Sequence, residues 1–201
     1  MANFKNLRKV KTLPLVDAEI FYYENFIPQE EAQVIYSHLL KTLDWEQHQI
    51  KIFGRILPQP RLTALYAETE KPYTYSGLTL NPLKFPAELK DLQQKLERLT
   101  GEHFSHCLAN LYRTGSDSMG LHSDDEKELG ENPIIASISL GSLRKFRLKH
   151  KTDKNQKYEL ELSSGSLLLM QGSTQHFWKH EIPKTKKEVS PRINLTFRRI
   201  L

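Results

Sequence analysis

The spacing of apolar residues divides the chain into helical and strand-like stretches. Residues 13–24 read as extended, with Ile20 and Tyr22 on one face and Phe26 just beyond. A helix is predicted from Pro28 to about Leu43. Proline suits a first turn, Glu30 and Glu31 favour the positive end of the helix dipole, and Val34, Leu39, Leu40 and Leu43 supply the apolar stripe. A second helix is predicted from about Pro86 to Leu99, with Leu89, Leu92, Leu96 and Leu99 along one side. Between them Trp45–Ile52 reads as a strand leading to a Phe53-Gly54-Arg55 tip, and residues 61–80 carry Tyr66, Tyr73 and Tyr75 among Pro and Gly. From Phe104 onward short strands follow in series, at 106–112, 133–140, 144–150, 157–162, 166–171, 175–180 and 191–199. Short strands at regular spacing point to a sandwich or barrel. The expected architecture is therefore mainly β within an α+β class, supported by two helices in the N-terminal half. No repeat or low-complexity linker divides residues 1–201, so one domain is expected.

The last strand is the most telling. Successive side chains of an extended segment point to opposite faces, so Arg192, Asn194, Thr196 and Arg198 share one face while Ile193, Leu195 and Phe197 share the other. The apolar face can pack on a helix layer and leave two arginines lining a cavity. A planar guanidinium held in a cavity selects a carboxylate or phosphate. Asn110 and Tyr112 share parity in Cys107-Leu-Ala-Asn110-Leu-Tyr112, and their polar tips can face the same interior.

Composition adds little to this picture. The 201 residues are 38% hydrophobic and 26% charged, ordinary for a globular protein. Twenty-nine Lys and Arg against 24 Asp and Glu give +5, compatible with an anionic partner such as nucleic acid. Cys107 is the one cysteine, so no internal disulfide can form. It sits in an apolar run and is expected to pack as a small core residue. The N-terminal stretch lacks an apolar signal region and no run reaches membrane-spanning length, which together predict a cytoplasmic protein without a membrane anchor.

His122-Ser-Asp124 sets an imidazole and a carboxylate on one face of an extended segment. One further histidine would complete a two-histidine, one-carboxylate facial set, which leaves open positions on Fe(II) for a chelating cosubstrate and oxygen. His150 lies in a basic hairpin, leaving His176 or His180. These two share parity in the predicted 175–180 strand, so periodicity does not choose between them. One carboxylate, the imidazoles, two arginines, an amide and a phenol aimed into one small barrel would be costly without a ligand.

At these residues the chain resembles the AlkB family of Fe(II)- and 2-oxoglutarate-dependent dioxygenases, from about Leu15 to Leu201. The resemblance is carried by Asn110-Leu-Tyr112-Arg-Thr-Gly, His122-Ser-Asp124-Asp-Glu126, Ile134-Ile-Ala-Ser-Ile-Ser-Leu-Gly141, Gly165-Ser-Leu-Leu-Leu-Met170, Trp178-Lys-His180 and Pro191-Arg-Ile-Asn-Leu-Thr-Phe-Arg198. Arg61-Leu-Thr-Ala-Leu-Tyr66 and Tyr73-Thr-Tyr-Ser-Gly-Leu-Thr79 further resemble the homologues that repair nucleic acids. The resemblance implies a double-stranded β-helix (jelly roll) in which His122, Asp124 and His180 hold iron, so it names His180 as the third ligand and leaves His176 without a direct role. It implies that Arg192 pairs with the distal carboxylate of 2-oxoglutarate, helped by Tyr112 and Asn194. Asn110 and Arg198 would lie near the chelating end of the cosubstrate.

The implied reaction consumes O2, converts 2-oxoglutarate to succinate, and removes N-methyl groups from bases such as 1-methyladenine and 3-methylcytosine in DNA, with RNA left open. A blocked pairing edge lowers the cost of extruding such a base. Its positive charge suits aromatic faces and acids. Tyr75, in the segment of about 45–80 that matches the nucleotide lid, is expected to stack on the base, worth on the order of 1 kcal/mol. Glu126 is expected to accept a hydrogen bond from the exocyclic amine. Phe53 resembles an intercalating hairpin tip that fills the vacated position, with plain hairpin packing as its alternative. Basic clusters at Lys5, Arg8, Lys9 and Lys11, at Lys149, Lys151, Lys154 and Lys157, and at Lys184, Lys186 and Lys187 offer phosphate contacts or solvated loops. The enzyme is expected to act as a monomer on nucleic acid. Its rivals are a 2-oxoglutarate-dependent hydroxylase of a protein or small molecule, and a jelly roll that binds nucleic acid without chemistry.

Overall fold

A computed structural model of the chain describes residues 10–52, 54–70, 73–75 and 78–201, with side chains at all of these except 51, 52, 73–75 and 78. Two short strands, β1 (Val10–Thr12) and β2 (Glu19–Tyr23), precede α1 (Gln29–Thr42). Two hairpins and an intervening strand follow: β3 (Gln49–Ile52) with β4 (Arg55–Pro58), then β5 (Leu62–Ala67), then β6 (Tyr73–Tyr75) with β7 (Leu78–Leu80). After β8 (Leu83–Lys84) and α2 (Ala87–Thr100) come β9 (His106–Tyr112), β10 (Met119–His122), β11 (Ile135–Gly141), β12 (Arg144–His150), β13 (Lys157–Leu162) and β14 (Ser166–Gln171). The helical turn α3 (Thr174–Phe177) leads into β15 (Trp178–Ile182), and β16 (Arg192–Arg198) closes the series. Among the described residues no helix is long and apolar enough to cross a membrane.

The strands form a large sheet in the order β1-β2-β14-β11-β16-β9-β5-β8 and a smaller one in the order β10-β15-β12-β13. This is the mainly β, jelly-roll arrangement expected. The chain passes from one sheet to the other between β11 and β12 at Gly141, whose φ is +86°. A Cβ there would come within 2.6 Å of the Pro191 carbonyl oxygen, so the crossover requires glycine.

Both helices cover the outer face of the large sheet. Ala32 and Leu39 of α1 and Leu89, Leu92 and Leu96 of α2 pack with Ala109, Ile138, Ile193, Leu195 and Phe197. Gly101, at φ +75°, ends α2 in the left-handed cap that its sequence allows. Val34, expected on the buried stripe of α1, is instead 70% exposed. At 3.6 residues per turn it stands about 160° from Ala32, so the two cannot share a face. The space between the sheets is filled by Leu148, Leu162, Trp178 and Ile182 from the small sheet against Ile135, Leu168 and Met170 from the large one.

Cys107 lies in the helix-side core with no exposed surface, and burial pushes its thiol up from the ordinary range. The native thiol is therefore expected to resist iodoacetamide while the denatured chain takes one adduct, as counted by mass. Rapid labelling of the native protein would contradict this packing.

Candidate metal and cosubstrate site

The face of β16 that carries Arg192, Asn194, Thr196 and Arg198 turns away from the helices and lines a pocket between the sheets. Its neighbour β9 is in register, setting Tyr112 opposite Arg192 and Asn110 opposite Asn194. On the other side β11 supplies two serines. Arg192 Nη2 donates to Ser139 Oγ at 2.8 Å, and Asn194 Nδ2 donates to Ser137 Oγ at 2.7 Å. Arg192 is 1% exposed, and its Nε and Nη1 are buried without a hydrogen-bond partner. Burial pulls this guanidinium down to about 10, while the Tyr112 phenol beside it acts in the opposite direction. Buried donors of this kind are costly unless an acceptor arrives.

The imidazole and carboxylate groups gather at the other end of the pocket. His122 ends β10 and is paired across the small sheet with His180 of β15. The chain then turns so that Asp124 reaches both: its oxygens lie 3.8 Å from His122 Nε2 and 3.8 Å from His180 Nε2. One ligand atom from each of the three lies within 4.8 Å of the others, a cluster that can hold a metal ion. His122 Nδ1 donates to the Gly120 carbonyl at 2.8 Å, and a carbonyl can only accept. That bond fixes the tautomer and leaves Nε2 as the basic nitrogen facing Asp124.

Burial also pushes His180 down to about 3, helped by the neighbouring His122, and it lowers His122 as well. Both imidazoles therefore keep the neutral form that a metal requires. Burial alone would raise Asp124, but the Arg198 guanidinium overcomes it and holds the carboxyl below its usual range. Arg198 Nη2 donates to Asp124 Oδ1 at 2.8 Å, with both residues buried. Gln175 Oε1 accepts from the Asp124 backbone N–H at 2.9 Å, and Ser123 Oγ donates to the Trp178 carbonyl at 2.9 Å. Arg198 thus holds the carboxylate while Gln175 and Ser123 fix the main chain that carries it, and Phe146 stacks on His180 at 5.3 Å.

His176 is placed elsewhere. Residues 174–177 form the turn α3 rather than the start of a strand, so the parity shared with His180 does not exist. His176 is exposed and bonds Asn132 Oδ1 at 3.1 Å. Asn110 lines the pocket with its Oδ1 accepting from Arg61 Nε at 2.7 Å and its Nδ2 donating to the Leu108 carbonyl at 3.5 Å. Glu126 caps the short 3-10 turn Lys127–Leu129 beyond Asp124, and burial raises its carboxyl. Its Oε2 is buried without a partner. Tyr75 belongs to β6, but its side chain lies outside the described residues, as does Phe53 entirely. In the basic hairpin Lys149 pairs with Glu181 and Lys151 with Asp125, so two of its four lysines already face carboxylates.

Sequence reasoning missed Ser137, Ser139, Gln175 and Arg144. The alternation in Ile135-Ala-Ser-Ile-Ser-Leu140 marks the two serines, whereas nothing local marks Gln175.

The 2OG-Fe(II) oxygenase superfamily profile matches residues 19–198. The chain is 38% identical to human alpha-ketoglutarate-dependent dioxygenase alkB homolog 3, over 96% of this chain and 70% of that protein. It is 35% identical to human DNA oxidative demethylase ALKBH2, over 89% of this chain and 72% of that protein. The solved structure of OsALKBH1 shares the fold, with a TM-score of 0.62 at 18% identity over 95% of this chain and 100% of that one. The profile runs from β2 to the end of β16, and relatives more than one-third identical extend along nearly all of that framework. The chain therefore belongs to the 2-oxoglutarate- and Fe(II)-dependent oxygenase superfamily, in its AlkB branch, and is a dioxygenase that works with Fe(II), 2-oxoglutarate and O2.

Proposed function

We propose that the protein is an oxidative demethylase of N-alkylated bases in nucleic acid, such as 1-methyladenine and 3-methylcytosine. In this reading residues 1–201 act as one domain, with about 45–80 as its nucleotide-recognition segment. His122, Asp124 and His180 hold the iron. The observation that carries this assignment is the convergence of their ligand atoms within 4.8 Å beside a pocket walled by guanidinium groups. Support for a nucleic-acid substrate comes from the likeness to relatives named DNA oxidative demethylase ALKBH2 and alkB homolog 3.

With iron, 2-oxoglutarate and O2 bound, the centre supplies oxidative decarboxylation to succinate and hydroxylation of an N-methyl group, whose product releases formaldehyde. The protein's own task is placement. Arg192 takes the distal carboxylate, with Tyr112 and Asn194 beside it. Asn110 lies near the chelating end, and Arg198 keeps Asp124 ionised and in place. Leu108, Met119, Phe146, Leu162, Met170 and Ile182 complete the wall between these polar groups and limit the water that can surround them. Tyr75 stacks on the extruded base. Glu126, with an unused buried oxygen, accepts from the exocyclic amine.

The test is to incubate the enzyme with DNA and RNA oligonucleotides carrying one methylated base and follow loss of the methyl group by mass. Turnover of at least one methylated base supports the proposal. Succinate release with a protein or metabolite alone, and none with any oligonucleotide, would overturn it. Phe53 gives a finer prediction. If it wedges into the stack, Phe53→Ala loses about tenfold in rate on duplex substrate and little on single strands, because only the duplex needs the vacated position filled. Equal losses on both would remove the wedge from the account.

A further inference from the structure

Arg144 is a second buried guanidinium, set behind the pocket wall where Tyr112 and Arg192 line it. It begins β12 and is 3% exposed. Its Nη2 donates to the Asp117 and Pro183 carbonyls at 2.9 and 2.8 Å, and its Nη1 donates to the Thr114 carbonyl at 3.3 Å. All three acceptors are main-chain oxygens, which orient the guanidinium without neutralising it. Arg144 and Arg192 both lie over the ring of Tyr112, at 5.6 and 5.2 Å from its centroid.

The facing acid is Asp117, and its oxygens are engaged by Arg113, through Nε at 2.8 Å, Nη2 at 3.0 Å and the backbone N–H at 2.8 Å. Among the described residues neither Arg144 nor Arg192 ion-pairs with a carboxylate. Two like charges held in a low-dielectric interior repel each other, and burial lowers both guanidinium groups. A single anion bound there would be attracted by both.

We infer that Arg144 is a positioning residue that sets cosubstrate specificity: through Tyr112 and its own field it favours a 2-oxo acid with a distal carboxylate over one without. Resting on Arg192 as the partner of that carboxylate, the inference adds a second, non-contacting charge. A residue serving only as a loop staple would affect both kinds of acid alike.

The experiment measures equilibrium binding of 2-oxoglutarate and of 2-oxopentanoate, which lacks the distal carboxylate, to the Fe(II)-loaded protein without oxygen. Arg144→Gln is expected to weaken 2-oxoglutarate by about tenfold and to leave 2-oxopentanoate unchanged. Arg144→Lys, which keeps the charge, should restore most of the discrimination. Equal weakening of both acids, or no change in either, would overturn the inference. Should Arg144→Gln fail to fold, Asp117→Asn reads the same field with opposite sign. It should raise the preference for 2-oxoglutarate, and an unchanged or lower preference would count against the inference. Arg192→Met in the same assay separates the two assignments. If it leaves 2-oxoglutarate binding intact, the reading of Arg192 itself is wrong. If it weakens binding while Arg144→Gln does not, only the inference about Arg144 is lost.

Discussion

Asp124→Ala is expected to abolish turnover and also to destabilise the metal-free protein by about 3–5 kcal/mol, because it breaks a buried ion pair by removing the carboxylate to which Arg198 donates. For a chain of this size that corresponds to a fall in thermal midpoint on the order of 10 °C. Loss of a metal ligand should reduce iron affinity by more than the roughly 10–100-fold typical of losing an outer hydrogen bond. The two effects separate in the double variant. Asp124→Ala with Arg198→Met removes both charges and should recover much of the stability while iron affinity stays low. The pH dependence follows the same pair. Asp124 is held below the ordinary carboxylate range in the folded state, so its contribution is present above that range and is lost as acidification protonates it. Differential scanning fluorimetry of the metal-free variants decides the matter. An Asp124→Ala midpoint equal to wild type would show that the Asp124–Arg198 pair does not stabilise the apoprotein.

Arg192→Met should behave in the opposite way toward stability. The guanidinium is buried with two donor nitrogens unused, so an apolar side chain of similar length relieves a desolvation cost. The variant's metal-free midpoint should be unchanged or higher. Its KM for 2-oxoglutarate should rise roughly 10–100-fold, the equivalent of losing a charged hydrogen bond of about 1.5–3 kcal/mol. Initial rates against 2-oxoglutarate concentration check this directly. A lower midpoint with unchanged KM would mean that Arg192 is a structural strut.

Much of the fold and of the candidate site is legible along the chain because both depend on side-chain alternation. β16 alternates cleanly, and the structure divides it as parity requires, with Ile193, Leu195 and Phe197 under the helices and the polar positions in the pocket. Its partner β9 follows the same rule. The limits of α2 are equally plain, because its leucines repeat at helical spacing and a glycine stops it. Three features are not legible, each for a physical reason. Val34 looks apolar enough for a core, yet its angular position on α1 puts it in solvent. Parity between His176 and His180 assumes an unbroken strand, and the turn α3 breaks it after tertiary contacts through Thr174 and Gln175. Arg144 reads as one more charge in a basic hairpin, and only the folding of the Thr114–Asp117 loop and Pro183 around it makes it an interior residue.

The most direct test counts methyl groups lost and succinate formed in one reaction, using an oligonucleotide with a single 3-methylcytosine, with and without iron, 2-oxoglutarate and oxygen. The account predicts one succinate for each methyl group removed, with no removal when any one of the three is withheld, and no removal by the His180→Ala variant. Succinate formed without loss of methyl from this or any other methylated base, or methyl loss that persists in His180→Ala, would contradict it.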